Sequence, residues 1–218
     1  MDTIQTILFI ALPLILAITV HESAHAYVAD YFGDPTAREL GRISLNPLRH
    51  IDPFGTLVLP LFLHFITHGA FAIGYAKPVP VNYAKMRNPK KQMGWVAFAG
   101  PASNLAMAWG WLVFGHLMKS MEVDSAALQA MAQFGVLINS LMFAFNLFPL
   151  PPLDGGRVLT ALLPPKWAAQ FAKIEVFGFF IVLLLVANHG LDFWMRPMQA
   201  LVDGVLKFLT SPLTFFVN

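Results

Sequence analysis

Residues 4–28 read IQTILFIALPLILAITVHESAHAYV, a nearly unbroken apolar run that closes on His21-Glu22-Ser23-Ala24-His25. A run of this length can cross a bilayer as a helix. On a helix His21 and His25 fall one turn apart on one face, so both imidazoles can reach one metal ion, with Glu22 beside them as a base for a metal-activated water. A carboxylate held near hydrocarbon costs about 2.5–3.5 kcal/mol on insertion scales unless it is paired, hydrated or bound to metal. Glu22 therefore needs compensation. The alternative is three unrelated polar residues snorkelling from a helix end toward head groups, and a third ligand elsewhere in the chain would decide against it.

Composition agrees with a membrane setting. Of 218 residues, 57% are hydrophobic and 12% charged, and the mean hydropathy is +0.62. A soluble domain carries about twice that charged fraction. The formal net charge is +2, with the basic residues dispersed among connectors, so there is no electrostatic footprint for nucleic acid. Cysteine is absent, which leaves only histidine and carboxylate as zinc ligands. Met1-Asp2-Thr3 lacks the basic region of a secretory signal, so the first apolar run is expected to remain as a span.

Further apolar segments cover 94–118, 128–148 and 171–187. Segment 53–67 is short for a span and is flanked on both sides by cations, Arg38, Arg42 and Arg49 before it, Lys77, Lys85, Arg87, Lys90 and Lys91 after it. The positive-inside rule puts both flanks in the cytoplasm and makes the segment re-entrant or interfacial, with a true span as the alternative. Segment 191–209 spaces Asp192 from Arg196 and Asp203 from Lys207 by four, the pattern of an amphipathic interfacial helix or a tilted return span. Around 71–82, Phe71, Ile73 and Tyr75, then Val79 and Val81, alternate with smaller or polar residues. This reads as one or two short strands, the second confined to an edge by Pro78 and Pro80. The expected fold is mainly α, a polytopic membrane helix bundle of about four to six segments with a short membrane-associated β region, forming a single domain over residues 1–218.

Threading these segments from outside brings the end of the first span, the start of 94–118 and the end of 128–148 to the cytoplasmic leaflet. There the chain reads Asn146-Leu-Phe-Pro-Leu-Pro-Pro-Leu-Asp-Gly-Gly156. Pro149, Pro151 and Pro152 cannot sustain a helix, so the backbone should unwind and present Asp154 as a third zinc ligand. Two histidines and a carboxylate leave one tetrahedral position open, as a catalytic site requires; an ordinary turn with Asp154 as a helix cap is the alternative. Near the start of 94–118, Gly100-Pro-Ala-Ser-Asn104 offers Asn104 for a hydrogen bond across the packing beside the site, either to substrate or to backbone freed by Pro101. His64 and His68 repeat the one-turn spacing without an adjacent acid and read as an interfacial pair.

His-Glu-x-x-His, Gly-Pro-x-x-Asn and Asn-x-x-Pro-x-x-x-Leu-Asp-Gly, in this order, resemble the site-2 protease family of intramembrane zinc metalloproteases. Gly74 to Asn82 is similar to the strand region that many members carry between the first two motifs. The resemblance covers about residues 4–157, and no counterpart of the PDZ or CBS modules of some members is present among these residues. It implies one zinc ion on His21, His25 and Asp154, Glu22 as general base, and Asn146 positioning the substrate backbone. Its implied reaction is hydrolysis of peptide bonds in or near the transmembrane segments of membrane-anchored proteins. A multi-pass protein of a prokaryotic inner membrane with its site toward the cytoplasmic leaflet is expected. A metal-binding or transport protein without hydrolysis is the competing class. It would need polar stepping stones across both leaflets, and the outer halves of these segments are apolar. No sequence signal bears on oligomeric state.

Overall fold

The computed structural model describes residues 3–58, 62, 65 and 77–217. It is mainly helical, and among the described residues there is no strand. Helix α1 (Thr3–Tyr31) carries the opening apolar run and the His-Glu-x-x-His sequence. A single turn, α2 (Thr36–Glu39), follows, then the long α3 (Pro89–Ser120), α4 (Ala126–Asn146) and α5 (Asp154–Leu162). The chain ends with α6 (Pro165–Ala172), α7 (Glu175–Ala187) and α8 (Asp192–Val217).

Helix ends follow local chemistry. Pro89 starts α3, where its missing N–H has no helical partner to lose, and the Gln92 carboxamide accepts from the Asn88 N–H at 2.7 Å. Ser125 caps α4 by accepting from Leu128 N. After Asn146 the three prolines forbid continuation, and residues 147–153 form an irregular turn before Asp154 opens α5. Close approach sets the glycines that follow: a Cβ on Gly156 would lie 2.2 Å from Pro151 N, and one on Gly155 2.2 Å from Leu147 O. Asp154 thus belongs to a helix, with the irregular chain immediately before it.

Helix α3 is the hub, packing along α1, α4, α5 and α8. Its interfaces hold small buried residues, Ala17, Ala26 and Ala29 of α1, Ala97 and Ala108 of α3, and Ala132 and Ala144 of α4. Small side chains let helices approach where hydrocarbon gives no hydrophobic drive for association. Ala108, Phe143, Val202 and Leu206 form one buried cluster that seats α8 on α3 and α4. Leu12, Ile15, Trp109, Leu137 and Leu184 face outward.

Two helical stretches, Phe9–Tyr31 and Ala126–Asn146, are long and apolar enough to cross a bilayer, and the pair α6 and α7, bent by 64°, makes a third if counted as one span. The expected segment 171–187 therefore straddles a break at Lys173 and Ile174. Of segment 53–67, Pro53–Val58 forms a π-helical turn, and most of the remainder lies outside the described residues, as do His64 and His68. The expected β region divides likewise: 71–76 lie outside, and 77–82 form no strand with any of the described residues. What anchors 77–82 is side-chain chemistry. Arg42 Nη2 donates to the carbonyls of Lys77 and Pro78, at 2.8 and 3.4 Å, and the Asn82 N–H donates to the buried Asp34 carboxylate.

Candidate metal centre

One turn of α1 sets the His21 and His25 rings 4.6 Å apart, nearly perpendicular at 85°. Each ring is held by its other nitrogen. His25 Nδ1 donates to the Val96 carbonyl of α3 at 2.7 Å, a partner that can only accept. His21 Nδ1 donates to Asn104 Oδ1 at 2.6 Å. Both Nε2 atoms are thereby left as lone pairs, and both point at one spot. They stand 3.0 Å apart, and Asp154 Oδ2 lies 3.2 Å from His21 Nε2 and 3.3 Å from His25 Nε2.

Three electron-rich atoms this close, in residues 5%, 9% and 9% exposed, repel one another unless a cation sits among them. Zinc bonded at 2.0–2.1 Å with tetrahedral angles separates its ligand atoms by about 3.3 Å. The observed spacings match that edge, and two imidazoles with a carboxylate are a donor set zinc accepts. Each histidine also has the partner on its second nitrogen that zinc ligands characteristically carry.

The three groups open onto a cleft of about 450 Å³. Glu22 lines it, with Oε2 accepting from the Val79 N–H at 3.0 Å. Asn146 lines it too, its amide nitrogen donating back to Met142 O at 3.1 Å. Arg157 and Glu175 form the far wall, paired at 3.2 Å between α5 and α7. Asn104 is 0% exposed, and its carboxamide binds His21, Ala17 O at 3.2 Å and Asn139 Oδ1 at 2.9 Å. Helix α3 turns this residue into the contact with α1 and α4, a hydrogen bond across the packing beside the site.

Gly100, the Val79 amide and the Val96 carbonyl touch the side chains of the centre, Asn139 touches Asn104, and sequence reasoning assigned none of them. A Cβ on Gly100 would lie 2.4 Å from His25 Nε2 and 2.6 Å from His21 Cε1, so only glycine lets α3 pass the two rings. Asn139 carried a readable signal, a carboxamide in the middle of an apolar span, where a polar group needs a partner.

The family model for peptidase family M50 matches residues 115–187. Over 209 residues, 93% of this chain and 91% of the relative, the chain is 36% identical to YwhC of Bacillus subtilis, a protein provisionally named a zinc metalloprotease. It is 28% identical over 219 residues to Rip2 of Mycolicibacterium smegmatis, covering 96% of this chain and 82% of that one, and 35% identical over 99 residues to MJ0611 of Methanocaldococcus jannaschii, covering 45% and 50%. Both carry the same provisional name. No solved structure matches significantly.

Proposed function

Because the chain belongs to peptidase family M50, the site-2 protease family, and is an intramembrane zinc metalloprotease, we propose that His21, His25 and Asp154 hold its zinc ion and that Glu22 is the base for hydrolysis. The observation that supports this reading is the convergence of two Nε2 lone pairs and one carboxylate oxygen, 3.0–3.3 Å apart, on the cleft that Glu22 lines.

Zinc, when bound, supplies Lewis acidity to water and to the scissile carbonyl. The rest is the chain's own work. Glu22 takes a proton from the attacking water and returns it to the departing nitrogen, so a C–O bond replaces the C–N bond and the carboxylate is regenerated. Asn146, on the same cleft, orients the substrate backbone. A substrate helix hides its carbonyls in its own hydrogen bonds and must unwind locally before attack. The unwound strand pairs along residues 77–81, of which Pro78, Val79 and Val81 line the cleft.

Residues 1–218 act as one domain, with α1, α3, α4 and the bent α6–α7 pair among four to six membrane segments. Gly100, Ser103 and Asn104 lower the apolarity of α3 because that face serves the centre, while its 32 residues give about 48 Å of helix. The cationic flanks Arg38–Arg49 and Lys77–Lys91 support a site toward the cytoplasmic leaflet. Relatives from bacteria and an archaeon support a prokaryotic cell membrane. The substrate is a membrane-anchored protein, and the reaction belongs to regulated intramembrane proteolysis. Transport without hydrolysis is not favoured: the relatives are named as proteases.

Two variants test the assignment. Glu22→Gln keeps zinc and loses at least about 10²-fold in cleavage of a membrane substrate in liposomes, whereas Asp154→Ala loses the metal as well. Hydrolysis at the wild-type rate by Glu22→Gln overturns it.

A further inference from the structure

Behind the metal centre a line of hydrogen bonds crosses three helices. Asn139 of α4 donates from Nδ2 to Gly135 O at 2.9 Å, its own helix carbonyl. That carbonyl can only accept, so the Asn139 carboxamide is forced to turn its oxygen toward α3. There it accepts from Asn104 Nδ2 at 2.9 Å. The other N–H of Asn104 donates to Ala17 O at 3.2 Å, again an acceptor without alternative. With both its N–H groups committed, Asn104 presents its oxygen to His21, and His21 must carry its proton on Nδ1. Asn139 and Asn104 are both 0% exposed, so no water competes for any of these bonds.

We propose that Asn139 is a positioning residue for the metal centre: through Asn104 it fixes the tautomer and the ring orientation of His21, keeping the Nε2 lone pair aimed at the ion. This rests on the reading that His21 binds zinc. Asn104 alone does not suffice. Rotated by half a turn about its side chain it would present N–H to His21 and turn its oxygen on Ala17 O and the Asn139 oxygen, and these two acceptors together oppose that rotation. With Asn139 gone, only Ala17 O opposes it, so the flipped state gains population, and in it His21 can keep its contact to Asn104 only by moving its proton to Nε2, the atom that must bind metal. The direction of the line is thus set by the Gly135 carbonyl, and a Cβ at Gly135 would lie 2.4 Å from the Trp111 ring, which holds α4 against α3 at that point.

The experiment measures zinc affinity by chelator competition on the full-length protein in detergent, with melting of the chelated protein as the control for folding. Asn139→Leu is expected to bind zinc about tenfold more weakly, as loss of a ligand's outer partner does. Asn139→Asp, whose protonated form presents the same donor and acceptor, is expected to stay near wild type. In the Asn104→Leu background, Asn139→Leu should add nothing further, because the line is already broken; a packing role would add its own loss. Should Leu prevent folding, Asn139→Ala takes its place with the same outcomes. Wild-type affinity in Asn139→Leu, or additive losses in the double variant, overturns the proposal. His21→Ala separates the two readings. If it retains full affinity the zinc assignment itself fails, and if it loses zinc while Asn139→Leu does not, only the relay fails.

Discussion

The Val79 amide N–H donates to Glu22 Oε2 at 3.0 Å, joining residues 57 apart in sequence at the cleft onto which His21, His25 and Asp154 open. One carboxylate oxygen of Glu22, the proposed base, is thereby oriented by a backbone group. That group sits between Pro78 and Pro80, neither of which has an N–H to offer. Arg42 grips the carbonyls of Lys77 and Pro78 before it and Asp34 the amide of Asn82 three residues after, so the position of Val79 is held from both sides.

Val79→Pro removes this donor. Hydrogen bonds to charged groups contribute about 1.5–3 kcal/mol, so cleavage should slow by about 10- to 100-fold. The loss should fall on kcat, with bound zinc at the wild-type level by metal analysis. Unchanged kinetics would show that the amide has no part in orienting Glu22.

Gly100→Ala should weaken zinc binding by at least about tenfold, because its Cβ would lie 2.4 Å from His25 Nε2 and displace a ligand ring. Gly110, on the same helix, serves as the matched control, since a Cβ there would meet nothing within 4 Å. Gly110→Ala should leave zinc affinity unchanged and raise helix stability by up to about 1 kcal/mol. Equal metal affinities in the two variants would contradict the close passage of α3 over the rings.

How far this centre is legible in the sequence depends on the distance over which each contact is fixed. His21 and His25 share a face because a helix repeats every turn, so their pairing follows from spacing alone. Asp154 is legible through chemistry: two imidazoles without cysteine ask for a carboxylate, and the prolines before Asp154 mark where the backbone leaves α4. Asn104 shows the limit. Its place beside the site is readable, but whether it faces the cleft or the helix packing depends on the rotation of α3, which no local pattern encodes. The same holds for Asn139, whose partner is 35 residues away. In the apolar run 171–187, the break at Lys173 and Ile174 is marked only by the charges of Lys173 and Glu175, which an average over the run conceals.

Asp34 ties the end of α1 to the segment that carries Val79, and its charge state should be visible in acid. Burial pushes its carboxyl up, but the Thr36 hydroxyl, the Asn82 and Thr36 amides and the Lys85 ammonium outweigh this and hold it below the usual carboxylate range. A depressed folded pKa contributes stability that is complete above the unfolded value of about 3.9 and is lost as pH falls through the folded value. At neutral pH Asp34→Asn should therefore be less stable than wild type by about 1–3 kcal/mol. The difference should shrink as pH falls below about 4, where protonated Asp34 becomes a near-isostere of asparagine. Thermal unfolding in detergent from neutral to acid pH checks both points, and a gap independent of pH would exclude a charged Asp34 as its source.

Chelation tests the centre without mutation. If His21, His25 and Asp154 converge on zinc, its removal leaves three mutually repelling atoms at 3.0–3.3 Å, joining α1 to the start of α5. A ligand that binds only the folded chain stabilises it by about 2.7 kcal/mol at a free concentration of 100 times Kd. Chelated wild type should consequently melt at a lower temperature, lose cleavage, and recover both on addition of zinc. Asp154→Ala should melt at the same temperature with and without added zinc, since two imidazoles alone bind the ion too weakly to shift the equilibrium. Glu22→Gln should recover its melting temperature with zinc yet remain inactive, separating the group that moves the proton from those that hold the metal.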